Sequence, residues 1–198
     1  AAPHPAYVLC EVSTARHDPH LRGLLEDVLG AAMARAAVLD ATFAESIAQR
    51  EALWRLRESV PEAQRHEGAS IKHDVAVPVA ALPAFLHQAS AAVARVAPTA
   101  RLVAYGHVGD GNLHFNLSEP AGGGERAAFL ALQQDFGHAV HACVRQFRGS
   151  ISAEHGIGQL KRDLLARHKD PVALAAMRAI KQALDPRGIM NPGKVLPD

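Results

Sequence analysis

The sequence predicts an α+β fold: a mixed or antiparallel sheet with helices packed on one face, in the manner of ferredoxin-like units. Two observations carry this. Strand-like runs are separated by stretches of helical periodicity, and one tight Asp-Gly turn joins two β-prone runs. No linker divides the chain convincingly, so residues 1–198 are expected to form a single domain.

The elements follow in order. Residues 7–12 (Tyr-Val-Leu-Cys-Glu-Val) read as a buried strand. Asp18-Pro19 then opens a helix with Leu21, Leu24, Leu25, Val28 and Leu29 at its apolar positions. A short strand is expected near 38–43, then a helix over 44–58 with Ile47, Leu53, Trp54 and Leu56. Residues 71–77 alternate as a strand does, and 79–96 form an alanine-rich helix. Strands at 101–105 and 113–117 flank a glycine-rich turn. After the loop Gly122-Gly123-Gly124, one long helix is expected over 125–147, then shorter ones over 159–168 and 172–184.

Composition narrows the function classes. With 48% hydrophobic and 21% charged residues the 198-residue chain is an ordinary globular sequence. A net charge of +1 gives no field to attract nucleic acid or an anionic membrane. Apolar stretches are broken by charge or proline before about 18 residues, so no transmembrane helix is expected. The opening Ala1-Ala2-Pro3-His4-Pro5 has no initiator Met and no signal-peptide shape, and reads as a cut inside a longer chain. Cys10 and Cys143 stand far apart outside any CxxC pattern, which argues against zinc ribbons and disulfide frameworks. The default compartment is a reducing cytoplasm, with a peripheral membrane location also open.

The densest local signal is Tyr105-Gly106-His107-Val108-Gly109-Asp110-Gly111-Asn112-Leu113-His114. With Asp110-Gly111 at the tip, Gly109 faces Asn112, Val108 faces Leu113 and His107 faces His114. Opposed residues have Cβ atoms roughly 4.5–5.5 Å apart, so two imidazoles there converge on one ion with Zn–N bonds of about 2.0–2.1 Å. The alternative is a glycine hairpin whose histidines only hydrogen-bond or sit on the surface. A one-residue shift would send them to opposite faces.

A second loop, Ile151-Ser152-Ala153-Glu154-His155-Gly156-Ile157-Gly158, places a carboxylate beside an imidazole. Adding Glu154 to the two histidines gives a site of two nitrogens and one oxygen with a coordination position left open, as in catalytic centres. His155 is then a free base beside it. The plainer alternative is a helix-entry loop with a surface Glu-His pair.

These two motifs, with the tail Leu184-Asp185-Pro186-x-Gly188-Ile189-Met190-Asn191-Pro192-Gly193-Lys194, resemble the C-terminal domain of the FAD-linked oxidases of the vanillyl-alcohol-oxidase superfamily. Within it the chain is most similar to the D-2-hydroxyglutarate and related D-2-hydroxy-acid dehydrogenases. The resemblance covers essentially the whole chain but only the C-terminal half of a family member, and the N-terminal FAD-binding domain is absent from it. It implies oxidation of a D-2-hydroxy acid to a 2-oxo acid, with hydride transfer to FAD held mostly by that other domain. It also implies a divalent metal, zinc first, on His107, His114 and Glu154, with His155 as the base. Arg57, in Trp54-Arg55-Leu56-Arg57-Glu58, and Lys72, in Ile71-Lys72-His73-Asp74, match the family's substrate cations. Both are otherwise ordinary surface charges.

Asn112 is a candidate substrate donor, with plain turn chemistry as its alternative. Asn191 and Lys194 are implied to meet the flavin, with a structural tail clasp as theirs. By the same resemblance Pro61 stands where D-2-hydroxyglutarate dehydrogenases carry a hydroxyl residue one turn after the arginine, so their hydrogen bond to a distal carboxylate is not expected here. A D-lactate or glycolate oxidase-type member of the family is therefore kept as the alternative. The electron acceptor is left open among an electron-transfer flavoprotein, a quinone and a cytochrome, as is a homodimer. Outside the resemblance, a metal-dependent hydrolase and a non-catalytic ferredoxin-like module are the competing readings.

Overall fold

The computed structural model describes residues 4–16, 20–122 and 126–197. His17, the expected helix opener Asp18-Pro19 and the stretch Gly123-Gly124-Glu125 lie outside the described residues. The chain divides into two compact units, Ala1–Ala63 and Gln64–Asp198.

The first unit carries helices α1, Leu21–Ala34, and α2, Ile47–Glu58. Ser46 starts α2 by accepting the Gln49 N–H at 3.2 Å, satisfying one donor that the first turn cannot. Helix α2 ends at Glu58, and α3, Val60–His66, begins with Pro61 in its first turn, where a missing N–H costs nothing. Pro61 thus opens a helix just after another has closed. The strands expected at 7–12 and 38–43 are not formed. Among the described residues of this unit there is no strand to pair with, and Tyr7, Val8 and Leu39 stand exposed. A β-prone run without a ladder partner has no reason to stay extended.

The second unit is built on an antiparallel sheet of β1 (Ser70–Ile71), β2 (Asp74–Ala76), β3 (Arg101–His107) and β4 (Asn112–Ser118). Strand β4 is central, with β3 on one side and β1 and β2 on the other. The strand expected at 71–77 is interrupted at Lys72-His73 without losing register. Ile71 pairs with Leu117 before the gap and Asp74 with His114 after it. Within the gap the His73 N–H turns to the Asn116 side chain, 3.2 Å away, while its carbonyl still accepts from Phe115.

The alternation of β4 separates two faces. Leu113, Phe115 and Leu117 enter a core with Val75, Phe85 and Ala89 of α4 (Leu82–Val96), and Phe136 and Val140 of α6 (Gln133–Gln146). The stretch Val79–Val96 has the length and apolar content of a membrane span, contrary to the sequence expectation. One face of it, with Phe85, Ala89, Ala92 and Val93, is buried in the core. The single long helix expected before residue 147 is two, α5 (Arg126–Ala131) and α6, because Leu132 N–H bonds Phe129 three residues back and tightens the chain there. On this side His73, His141 of α6 and His168 of α7 (Arg162–His168) form a row, with ring centroids 5.8 and 5.7 Å apart. Helix α8, Pro171–Leu184, is capped by Asp170, whose carboxylate accepts from Val172 and Ala173. The opposite face of β4 presents Asn112, His114, Asn116 and Ser118.

Candidate functional site

The hairpin turn is longer than the sequence expectation. Val108–Asp110 forms a 3-10 turn, and Gly111 follows at φ 72° with its N–H on the Val108 carbonyl. His107 therefore pairs with Asn112 and Tyr105 with His114, so the expected His107–His114 pair is displaced. Two contacts fix this. The Asp110 carboxylate accepts the Asn112 N–H at 3.0 Å, and a side chain at 111 would come 1.9 Å from the Val77 carbonyl oxygen. The displacement is an even number of residues, which preserves the face. His107 and His114 become diagonal neighbours on one side of the sheet, with the Tyr105 ring 4.9 Å from that of His114.

The second loop is delivered to the same side by backbone bonds. Ser150 and Ala76 exchange hydrogen bonds at 2.7 and 3.0 Å, which ties the loop to the edge of β2. Lys161 then donates to the Ile151 carbonyl and the Ser152 hydroxyl at 3.1 and 3.0 Å. Burial pushes the Lys161 ammonium below its usual range, although the nearby Asp74 carboxylate pulls the other way.

The Glu154 carboxylate consequently straddles the two histidines. Its Oε1 lies 3.5 Å from His107 Nδ1 and its Oε2 lies 3.6 Å from His114 Nε2. Tetrahedral zinc with bonds of about 2.0–2.2 Å sets neighbouring donor atoms roughly 3.3–3.5 Å apart. Each spacing is close to that separation, but the two run to different Glu154 oxygens, and His107 falls outside the group of ligand atoms that converges. Each Glu154 oxygen faces one histidine.

Sequence reasoning misses Asp74. Ligand atoms of Asp74, His114 and Glu154 all lie within 4.8 Å of one another, the one such group among the described residues. Burial raises the Asp74 pKa, but backbone hydrogen bonds from His155, Glu154 and Ala153 outweigh it and hold the carboxyl below its usual value. A signal did exist: aspartate is depleted inside strands, yet it stands here beside Val-Ala-Val.

The other candidates distribute as follows. His155 is exposed next to Glu154, its N–H on Asp74. Asn112 is buried, with its amide donating to Asp74 at 3.3 Å. Lys72 is exposed two residues before Asp74. Arg57 is half-buried on α2 in the first unit. In the tail, Asp185 pairs with Lys181 and accepts the N–H groups of Ile189 and Met190 at 3.0 and 2.9 Å. The tail then returns to the second loop, with Val195 N–H on the Gly158 carbonyl at 2.7 Å and Lys194 on the Gln159 side chain at 3.1 Å. Asn191, at φ 46°, is exposed between these anchors.

A family model described as FAD linked oxidases, C-terminal domain, matches residues 1–195. The chain belongs to this family. It is 40% identical over 197 residues to a mitochondrial D-2-hydroxyglutarate dehydrogenase of Danio rerio, covering 98% of this chain and 35% of that protein. A D-2-hydroxyglutarate dehydrogenase of Stutzerimonas stutzeri is 40% identical over 80% of this chain and 34% of its own length. The mitochondrial one of Arabidopsis thaliana is 36% identical over 96% and 32%. The chain thus spans about a third of the curated relatives it matches. The match to this FAD-linked oxidase domain runs through both compact units.

Proposed function

We propose that this chain is the substrate-side portion of a flavin-dependent dehydrogenase that oxidises a D-2-hydroxy acid to the 2-oxo acid. The observation that carries the reading is Glu154 lying between His107 and His114 at 3.5 and 3.6 Å, with His155 next in sequence. When bound, the flavin supplies the hydride acceptor and a divalent ion, zinc first, supplies Lewis-acid polarisation of the substrate oxygens.

The chain's own residues do the rest. His107, His114 and Glu154 hold the ion, and His155 takes the hydroxyl proton on a ring nitrogen, for which imidazole's ordinary pKa near 6.5 suits it. Lys72, exposed two residues before Asp74, supplies positive charge for the substrate carboxylate. Arg57 adds a guanidinium for the same purpose. Asn191 and Lys194, on the tail that closes over Gly158-Gln159, supply donors to the flavin. D-2-hydroxyglutarate is the first substrate to test because the relatives are named for it. Pro61 makes shorter acids such as D-lactate the second. The reduced flavin requires an acceptor such as an electron-transfer flavoprotein, a quinone or a cytochrome.

The site is tested by titrating the chain with zinc against a chromophoric chelator. One ion per chain is expected, with affinity lowered at least tenfold in Glu154→Ala and in His114→Ala. Equal affinity in wild type and both variants would remove the metal from this reading.

A further inference from the structure

Asp74 touches both halves of the site at once, and its geometry is unlike that of a surface carboxylate. The residue is buried on β2, in register with His114 across the ladder. Its Oδ2 accepts three consecutive backbone N–H groups, those of Ala153, Glu154 and His155, at 3.2, 3.0 and 2.9 Å. Three amides converging on one charged oxygen form an anion nest, in which each hydrogen bond is strengthened by the charge. Its Oδ1 takes the Asn112 amide at 3.3 Å and lies 3.8 Å from His114 Nδ1, within ion-pair range but beyond hydrogen-bond length. The other nitrogen of that ring, Nε2, is the one facing Glu154. The contacts therefore close a circuit: from the Glu154 carboxylate to His114, from His114 to Asp74, and from Asp74 back to the Glu154 backbone.

We infer that Asp74 is a positioning residue that sets the Glu154-His155 loop against the hairpin histidines, and so governs both metal affinity and the placement of the base. A paired strand is stiff and a loop is not, so a carboxylate fixed in β2 gives residues 153–155 a reference that their own sequence cannot supply. Its second oxygen faces His114 Nδ1 at 3.8 Å, on the side of the ring away from the Nε2 that meets Glu154, so its charge bears on the orientation of that ring. The metal part of this inference rests on the function proposed above. The anchoring part does not.

The test uses the full chain with Asp74→Ala and Asp74→Asn. Amide hydrogen exchange is measured without metal, and zinc affinity by chelator competition. In Asp74→Ala, exchange at Ala153, Glu154 and His155 is expected to rise at least tenfold while β4 amides keep wild-type protection. Zinc affinity should fall about 10–100-fold. Asp74→Asn keeps an acceptor but loses the charge, so both effects should be smaller, and this variant decides the matter if the alanine variant does not fold. Wild-type protection at 153–155 in a folded variant would overturn the inference, as would a uniform rise across the whole second unit. If the wild-type chain binds no zinc, the metal reading falls, and the exchange pattern alone still decides whether Asp74 is the anchor.

Discussion

The two units use helices in opposite ways. Among the described residues of the first unit, α1 and α2 bury no side chain, and Leu24, Val28, Ile47 and Leu56 stand exposed. Its cross-links are polar: Arg22 with Glu45, and Glu11 with Arg50 and the Trp54 indole. In the second unit α4 and α6 close over β4, and Phe85, Phe115 and Phe136 have no exposed surface. Apolar periodicity alike in both tells which side of a helix is apolar. It does not tell whether the same unit supplies a surface to cover that side.

This contrast sets the order of mutational effects. Phe115→Ala empties the middle of the core, where the ring meets Phe85 edge-on at 5.9 Å. It is expected to cost about 3–5 kcal/mol, read as a shift in the denaturant midpoint at unchanged slope. The counterpart in the first unit, Leu24→Ala, removes an exposed side chain and should change stability by less than about 0.5 kcal/mol. Comparable losses in both variants would mean that the two units do not differ as described.

Acid should separate the units as well. Burial pushes His141 from 6.5 down to about 4, with His73 and His168 shifted the same way for the same first reason. A histidine kept neutral by the fold binds its proton more readily when unfolded, so its contribution is complete above pH 6.5 and is lost as pH falls towards about 4. At about 1.4 kcal/mol per pKa unit, and allowing for solvent screening, His141 accounts for about 2 kcal/mol. In the first unit the hydrogen bonds from Arg50 and Arg22 hold Glu11 and Glu45 below their ordinary 4.5, so their contribution is lost only below that pH. The stability of the second unit, followed between pH 7.5 and 5, should therefore fall with falling pH, and His141→Phe should flatten that slope. A flat profile in the wild type would contradict the assignment.

How much was legible in the sequence follows the same division. Helices α2, α4 and α8 emerge from apolar periodicity, whereas the Ser46 cap of α2 and the Asp170 cap of α8 are findings of the structure. The runs at 7–12 and 38–43 misled because β-propensity names a preference that only a neighbouring strand can realise. The hairpin was legible as a hairpin, but Asp110-Gly111 closes a 3-10 turn and does not form a two-residue tip. The register differs accordingly while the face survives. His107, His114, Glu154 and His155 are recognisable by residue type and motif. Asp74 was passed over: an aspartate inside a strand marks it as unusual, but the three amides it holds, 79 to 81 residues away, are not written in the local sequence.

The central claim is that the hairpin histidines and Glu154 serve oxidation of a D-2-hydroxy acid. Its most direct test is anaerobic flavin bleaching in the flavin-loaded enzyme that carries this chain. Mixed with D-2-hydroxyglutarate, and separately with D-lactate, the wild type should lose flavin absorbance with at least one D-acid and with neither L-enantiomer. Glu154→Ala should slow that bleaching at least a hundredfold. Bleaching by neither acid, or at an equal rate in wild type and Glu154→Ala, would contradict the account.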